Sequence, residues 1–156
     1  PGGPARPMDM GRRTRELEAE MTSHRIRKDY QQVIHGIRVP VDDEIDVAEV
    51  YVPFSWYEPM WLESLGFAPE GEGWKLTEAG ETEIGGRIPF NPSGGVLSSN
   101  PIGASGMIRF AEAAIQVMGK AGDHQVADAR KALGHAYGGG AQYYSMWLVG
   151  ADKPTN

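Results

Sequence analysis

Two glycine-rich runs, 91-NPSGGVLSSNPIGASG-106 and 134-GHAYGGGAQYY-144, set the tightest limit on how this chain folds. Glycine lacks a side chain to pack and frees the backbone for positive φ, so a dense run of it ends the helix or strand before it. Each run reads as a loop, and the segment between them as a separate element. Such a run serves either a turn or the close approach of something to the backbone. The second use would set Asn100, Ser105, His135 and Tyr137, four groups capable of chemistry, beside two loops poor in side chains. On the residues alone the plain turn is the commoner outcome.

Around these loops the periodicity assigns the rest. Residues 1–11 lack a pattern and read as an extended arm or a cut linker. Apolar positions near helical spacing predict a helix from about Arg12 to Ile34, closed by Gly36 and Pro40. The β-branched stretch 44-EIDVAEVYVPF-54 predicts a buried strand over about Val47–Val52. Phe54, Tyr57, Trp61 and Leu65 then repeat every three or four residues, a short helix that stops at Gly66. Residues 67–86, polar and rich in glycine, read as a surface excursion. A second strand is expected near 86–91. A helix follows from about Gly103 to Lys120, with Met107, Ile108, Ala111, Ala114, Ile115 and Met118 facing a sheet. Strands over 129–136 and 141–150 complete the order α-β-α-β-α-β-β, an α/β layer fold with a mixed sheet. Four strands against three helices leave a sheet edge open. The sheet is therefore expected to be incomplete without further chain, from another polypeptide or from a segment upstream.

Composition narrows the function. The formal charge is −6, and the basic residues of 11-GRRTRELEAEMTSHRIRK-28 are interleaved with acidic ones, which argues against a nucleic-acid footprint. No apolar run reaches the roughly 18 residues of a membrane span, and the expected location is the cytoplasm. The absence of cysteine excludes disulfides, thiolate zinc sites and a cysteine nucleophile within the chain. His24, His35 and His124 have no metal-ligand spacing and read as surface residues, so no metal site is expected.

Taken in order, 49-EVYVPF-54, 62-LESLGFAPEGEG-73, 91-NPSGG-95, 101-PIGASG-106 and 135-HAYGGG-140 resemble the C-terminal half of the thiolase superfamily. The branch most like it is that of the lipid-transfer-protein-associated thiolases and the steroid side-chain aldolases. The resemblance covers about Arg12 to Gly150. It implies an α/β domain, residues 12–156, forming the C-terminal half of a thiolase fold: a mixed sheet with helices on its faces. It also implies a partner N-terminal thiolase half in the same or a separate chain, a homodimer, and a possible accessory protein with a zinc ribbon and an OB-fold. No cofactor is implied for this chain; a coenzyme A thioester is implied as substrate.

The family's functional residues carry over only in part. Its nucleophilic cysteine belongs to the N-terminal half. Where ordinary thiolases have a histidine before Pro-Ile-Gly stands Asn100, and where they have a second cysteine stands Ala136. The asparagine of their Asn-Glu-Ala-Phe loop is matched by Tyr51. Asn100 donates hydrogen bonds but takes no proton at neutral pH, which disfavours ordinary thiolysis and favours retro-aldol cleavage of a β-hydroxyacyl thioester. The resemblance implies Tyr137, supported by His135, for proton handling. It implies Asn100 with the amides near Gly103 for an oxyanion, and Tyr51, Gly103, Ser105, Gly138 and Gly139 for substrate binding. Plain readings stand beside these: His135 as a core histidine, and Tyr51, Trp56, Tyr57 and Trp61 as a packed aromatic cluster. Two other functions stay open, a conventional thiolase or acyltransferase with its cysteine in the other half, and a non-catalytic lipid-binding or scaffold subunit.

Overall fold

The structure, a computed structural model, describes residues 45–138 and 142–152. The elements run β1 (Val47–Glu49), α1 (Tyr57–Ser64), α2 (Gly73–Glu78), a single turn α3 (Gly95–Ser98), and a 3-10 turn (Ile102–Ala104) that leads into α4 (Ser105–Val117). A second 3-10 turn (Gly122–His124), β2 (Lys131–Gly138) and β3 (Tyr143–Gly150) complete them. The helix expected over 12–34, the arm at 1–11 and Gly139 lie outside the described residues.

The three strands form a mixed sheet in the order β1-β2-β3, β1 parallel to β2 and β2 antiparallel to β3. Ala132, Leu133, Gly134 and His135 are buried in succession, the mark of a strand covered on both faces. Alternation along β2 divides its side chains between two layers. Ala136 turns toward α4, where its Cβ would lie 2.8 Å from a Cβ added at Gly106. His135 and Tyr137 turn the other way, onto Trp61 of α1. Val47, Ala113, Val126, Ala129 and Ala132 make a compact core between α4 and the sheet, with Val117 and Val149 packed on it. The architecture is the expected α/β one, with helices on the faces of a mixed sheet.

Three local expectations are corrected. β1 is shorter than Val47–Val52 because side chains take over its donors. Val50 N donates to Asn91 Oδ1 at 2.7 Å, and Tyr51 N to His135 Nδ1 at 3.4 Å. Near 86–91 no strand forms: Pro89 has no N–H to give, while Ile88 N and Phe90 N donate to Glu81 O and Thr82 O. What remains is one parallel bridge between Ala48 and Phe90.

The third correction concerns α4, whose buried face is Ser105, Arg109, Ala113 and Gln116. The apolar side expected against the sheet is turned partly outward: Met107 is 66% and Met118 56% exposed, Ala111 is exposed, and Ile108, Ala114 and Ile115 are only half-buried. Polar bonds fix this rotation. Arg109 reaches Glu49 on β1, and Gln116 Oε1 accepts from Val126 N at 2.8 Å while its Nε2 donates to His124 O.

Segment 67–86 carries α2 and is mostly exposed, with Phe67, Ala68 and Gly73 buried. Gly73 N donates to Glu63 Oε1 of α1, which ties the segment to the body, and Arg87 Nη2 donates to Phe67 O, which closes the end of the segment onto its start.

Candidate functional site

Tyr51 and Tyr137 meet where the parallel strands β1 and β2 end, the place where open α/β sheets bind ligands. Tyr51 lies two residues past β1 and Tyr137 is next to last on β2. Their rings meet edge to face with centroids 5.1 Å apart. Tyr57, the first residue of α1, stacks on Tyr137 at 5.7 Å, and Tyr137 Oη donates to Tyr57 Oη at 3.0 Å. Tyr144, opposite Tyr137 in the β2–β3 register, also stacks on it at 6.3 Å. Trp61 anchors the group by donating Nε1–H to Tyr51 O at 2.8 Å.

The loop before α4 brings Asn100 to the same place. Its Oδ1 accepts from Ser105 Oγ at 2.7 Å, from Ile102 N at 3.2 Å and from Tyr51 Oη at 3.4 Å. These donors fix the amide, and Nδ2 makes no hydrogen bond among the described residues, so both its N–H groups remain available. Ile102 holds φ at 48°, a left-handed conformation that a β-branched residue rarely adopts. Such a residue persists only where its surroundings hold it, here through the bond from its N–H to Asn100. Upstream, Ser93 N and Oγ both donate to the buried Glu49 carboxylate, which also receives Arg109 Nη1.

The protonation states differ sharply. Burial raises the pKa of the Tyr137 hydroxyl, and the hydrogen bond to Tyr57 raises it further, so the group stays protonated through neutral pH. Burial lowers His135 to about 3, leaving a neutral imidazole. Glu49 is raised by burial, more than Arg109 and Ser93 lower it.

Asn100, Tyr51, Ser105 and Tyr137 thus form one continuous contact chain. His135 shares the face of Tyr137, as alternation required, but it is wholly buried beneath the site. It packs on Trp61 at 4.9 Å and accepts the Tyr51 N–H, so its place is that of the core histidine rather than of a group open to substrate. Ser105 is buried and its hydroxyl is spent on Asn100. Gly138 is exposed beside Tyr137. Gly103 lies exposed in the 3-10 turn, where an added Cβ would meet nothing within 4 Å. Close approach instead requires glycine at Gly106, in the first turn of α4, where an added Cβ would lie 2.8 Å from Ala136 Cβ. Tyr57 was missed as a site residue because its aromatic neighbours read as packing. Among the described residues no three His, Asp or Glu side chains are placed to hold a metal, and no helix is long and apolar enough to cross a membrane.

Comparison with known proteins follows the same lines. Residues 18–150 match the family model described as thiolase C-terminal domain-like. Sterol carrier protein 2 of Oryctolagus cuniculus is 38% identical over 139 residues, covering 88% of this chain and 24% of that protein. An acetyl-CoA acetyltransferase of Methanothermobacter thermautotrophicus is 42% identical over 97 residues, 62% of this chain and 25% of its own length. Among solved structures, the Ltp2-ChsH2(DUF35) aldolase superposes with a TM-score of 0.64 at 29% identity, covering 82% of this chain and 32% of that one. The chain spans about a quarter of the length of the curated relatives it matches. With this family match lying over the same fold, the chain belongs to the thiolase C-terminal domain-like family, on its lipid-transfer-associated side.

Proposed function

We propose that this domain forms one wall of an acyl-CoA site and serves carbon–carbon bond cleavage in a lipid- or steroid-derived thioester by a retro-aldol route. The observation that carries this reading is the convergence of Asn100, Tyr51 and Tyr137 at the strand ends, with an amide where the family's histidine would stand. Retro-aldol cleavage needs a group to take the β-hydroxyl proton and donors for the enolate oxygen of the leaving thioester. Asn100 Nδ2, held in direction by the three bonds to Oδ1, is the donor. Preorganised donors of this kind are worth about 100- to 1,000-fold in rate each. Tyr137 offers a neutral hydroxyl that both donates and accepts, and Tyr51 spans the gap between them. Ser105 holds Asn100, and His135 holds Tyr51 from below. Gly103 and Gly138, both exposed, form the rim along which the thioester lies. The names of the relatives, an aldolase and a sterol carrier protein, favour this chemistry and a lipid substrate.

The rest of the enzyme follows from the same reading: an N-terminal thiolase half closing the site, a second copy of the protein, and an accessory protein with a zinc ribbon and an OB-fold. A second reading, acyl transfer to free coenzyme A with the nucleophile in that other half, is favoured by the 42% identity to a protein named acetyl-CoA acetyltransferase.

The intact enzyme incubated with a β-hydroxyacyl-CoA separates the two. Release of aldehyde or ketone without added coenzyme A supports the aldolase, whereas product formation that requires free coenzyme A establishes the transferase. Under the first reading Tyr137→Phe lowers kcat by about 100- to 10,000-fold, the usual worth of a positioned proton-transfer group.

A further inference from the structure

Retro-aldol cleavage leaves one proton in need of a destination. Tyr137 is held protonated by burial, so it accepts a proton from a substrate hydroxyl only by passing its own onward in the same step. The receiver must lie within hydrogen-bond reach, in a fixed position, with a way out to water. Tyr57 Oη is 3.0 Å from Tyr137 Oη and is placed to accept its proton. The Tyr57 ring is clamped by Trp56 at 4.1 Å, Trp61 at 5.8 Å and Tyr137 at 5.7 Å. Tyr57 is half-buried, and its neighbours Trp56 and Phe54 are exposed, so a way out to water lies beside it.

We propose that Tyr57 is a positioning residue that relays protons for Tyr137, so that two neutral tyrosines do together what a single ionisable base does elsewhere. The proposal rests on the retro-aldol reading of the site. The substrate O–H bond breaks and its electron pair becomes the new carbonyl bond; the Cα–Cβ bond breaks and its pair becomes the thioester enolate. The substrate proton moves to Tyr137, the Tyr137 proton to Tyr57, and the Tyr57 proton to water. One proton returns from water to the enolate carbon, and no oxidant or free coenzyme A is consumed.

The test is single-turnover cleavage of a β-hydroxyacyl-CoA by the intact enzyme in mixtures of H2O and D2O. Tyr57→Phe keeps the stacked ring and removes only the hydroxyl. It is expected to slow cleavage about 10- to 100-fold with KM nearly unchanged. In the parent the rate should fall along a bowed line as deuterium content rises, because more than one proton moves, and in Tyr57→Phe along a straight one. A parental rate in Tyr57→Phe, a change confined to KM, or a bowed line retained in the variant overturns the relay. An inactive Tyr137→Phe beside a fully active Tyr57→Phe removes the relay and leaves the retro-aldol reading standing. A fully active Tyr137→Phe removes both.

Discussion

Arg109 carries a guanidinium into the interior of the domain on the strength of two acceptors, Glu49 Oε2 and, at 2.9 Å, Ser93 Oγ. The side chains of the ion pair are 3% and 0% exposed, and Arg109 Nε has no partner among the described residues. Desolvating two charges costs several kcal/mol each, so the pair adds little net stability, but removing one partner strands the other. Arg109→Met should cost about 3–5 kcal/mol in urea unfolding of the domain. Adding Glu49→Leu to that variant should restore most of the loss, since a buried pair exchanged for apolar groups is often neutral. The pair ties α4 to β1 and, through Ser93, to the glycine-rich loop that leads to Asn100, so its loss also loosens the site. Nothing in the sequence marked it. A charged residue on a helix reads as solvated until the strand it faces is known.

At the scale of elements, α4 approaches β2 closely because small residues line the contact. A Cβ added at Gly106 would lie 2.8 Å from Ala136 Cβ, and one at Gly134 would lie 3.6 Å from Ala113 Cβ and 3.2 Å from Trp147 Cε3. Gly106→Ala should therefore destabilise the domain by about 1–3 kcal/mol despite alanine's better helix propensity, because neither backbone can yield freely. Thermal unfolding checks this, and Ala136→Gly in the same chain should recover the loss by vacating the opposed position. Helix periodicity was legible here and placed α4 within a few residues. Its rotation was not, because Gly106, Arg109 and Gln116, the residues that set it, carry no apolar signal. The strand expected near 86–91 failed for a related reason: the donors that would have paired it were claimed by the turns of the preceding excursion, a competition that only tertiary placement reveals.

For the whole molecule, the loops were legible and the depth of their residues was not. Asn100, Ser105 and Tyr137 stood out as polar groups beside glycine runs, and the fold does gather them with Tyr51. The contact of Tyr57 with Tyr137 and the burial of His135 depend on how α1 lies over β2, which no local pattern encodes. That burial gives the domain a pH dependence of definite sign. His135 is lowered to about 3 in the folded state from an ordinary 6.5, so the unfolded chain binds its proton first as acid is added. The stability this group contributes is complete above about pH 6.5 and is lost progressively as the pH falls toward 3, on the order of several kcal/mol in all. Glu49 acts in the opposite sense. Its folded pKa is raised, so its contribution is present below the ordinary carboxylate range and is lost as the pH rises through the folded value. The two slopes oppose each other where they overlap, and the wholly buried His135 should set the trend in acid. Urea unfolding from pH 3 to 8 should show the parent weakening in acid. His135→Gln, which keeps an acceptor for Tyr51 N but does not titrate, should lose most of that slope and expose the opposing one of Glu49; a parental slope in the variant would assign the acid sensitivity to other groups.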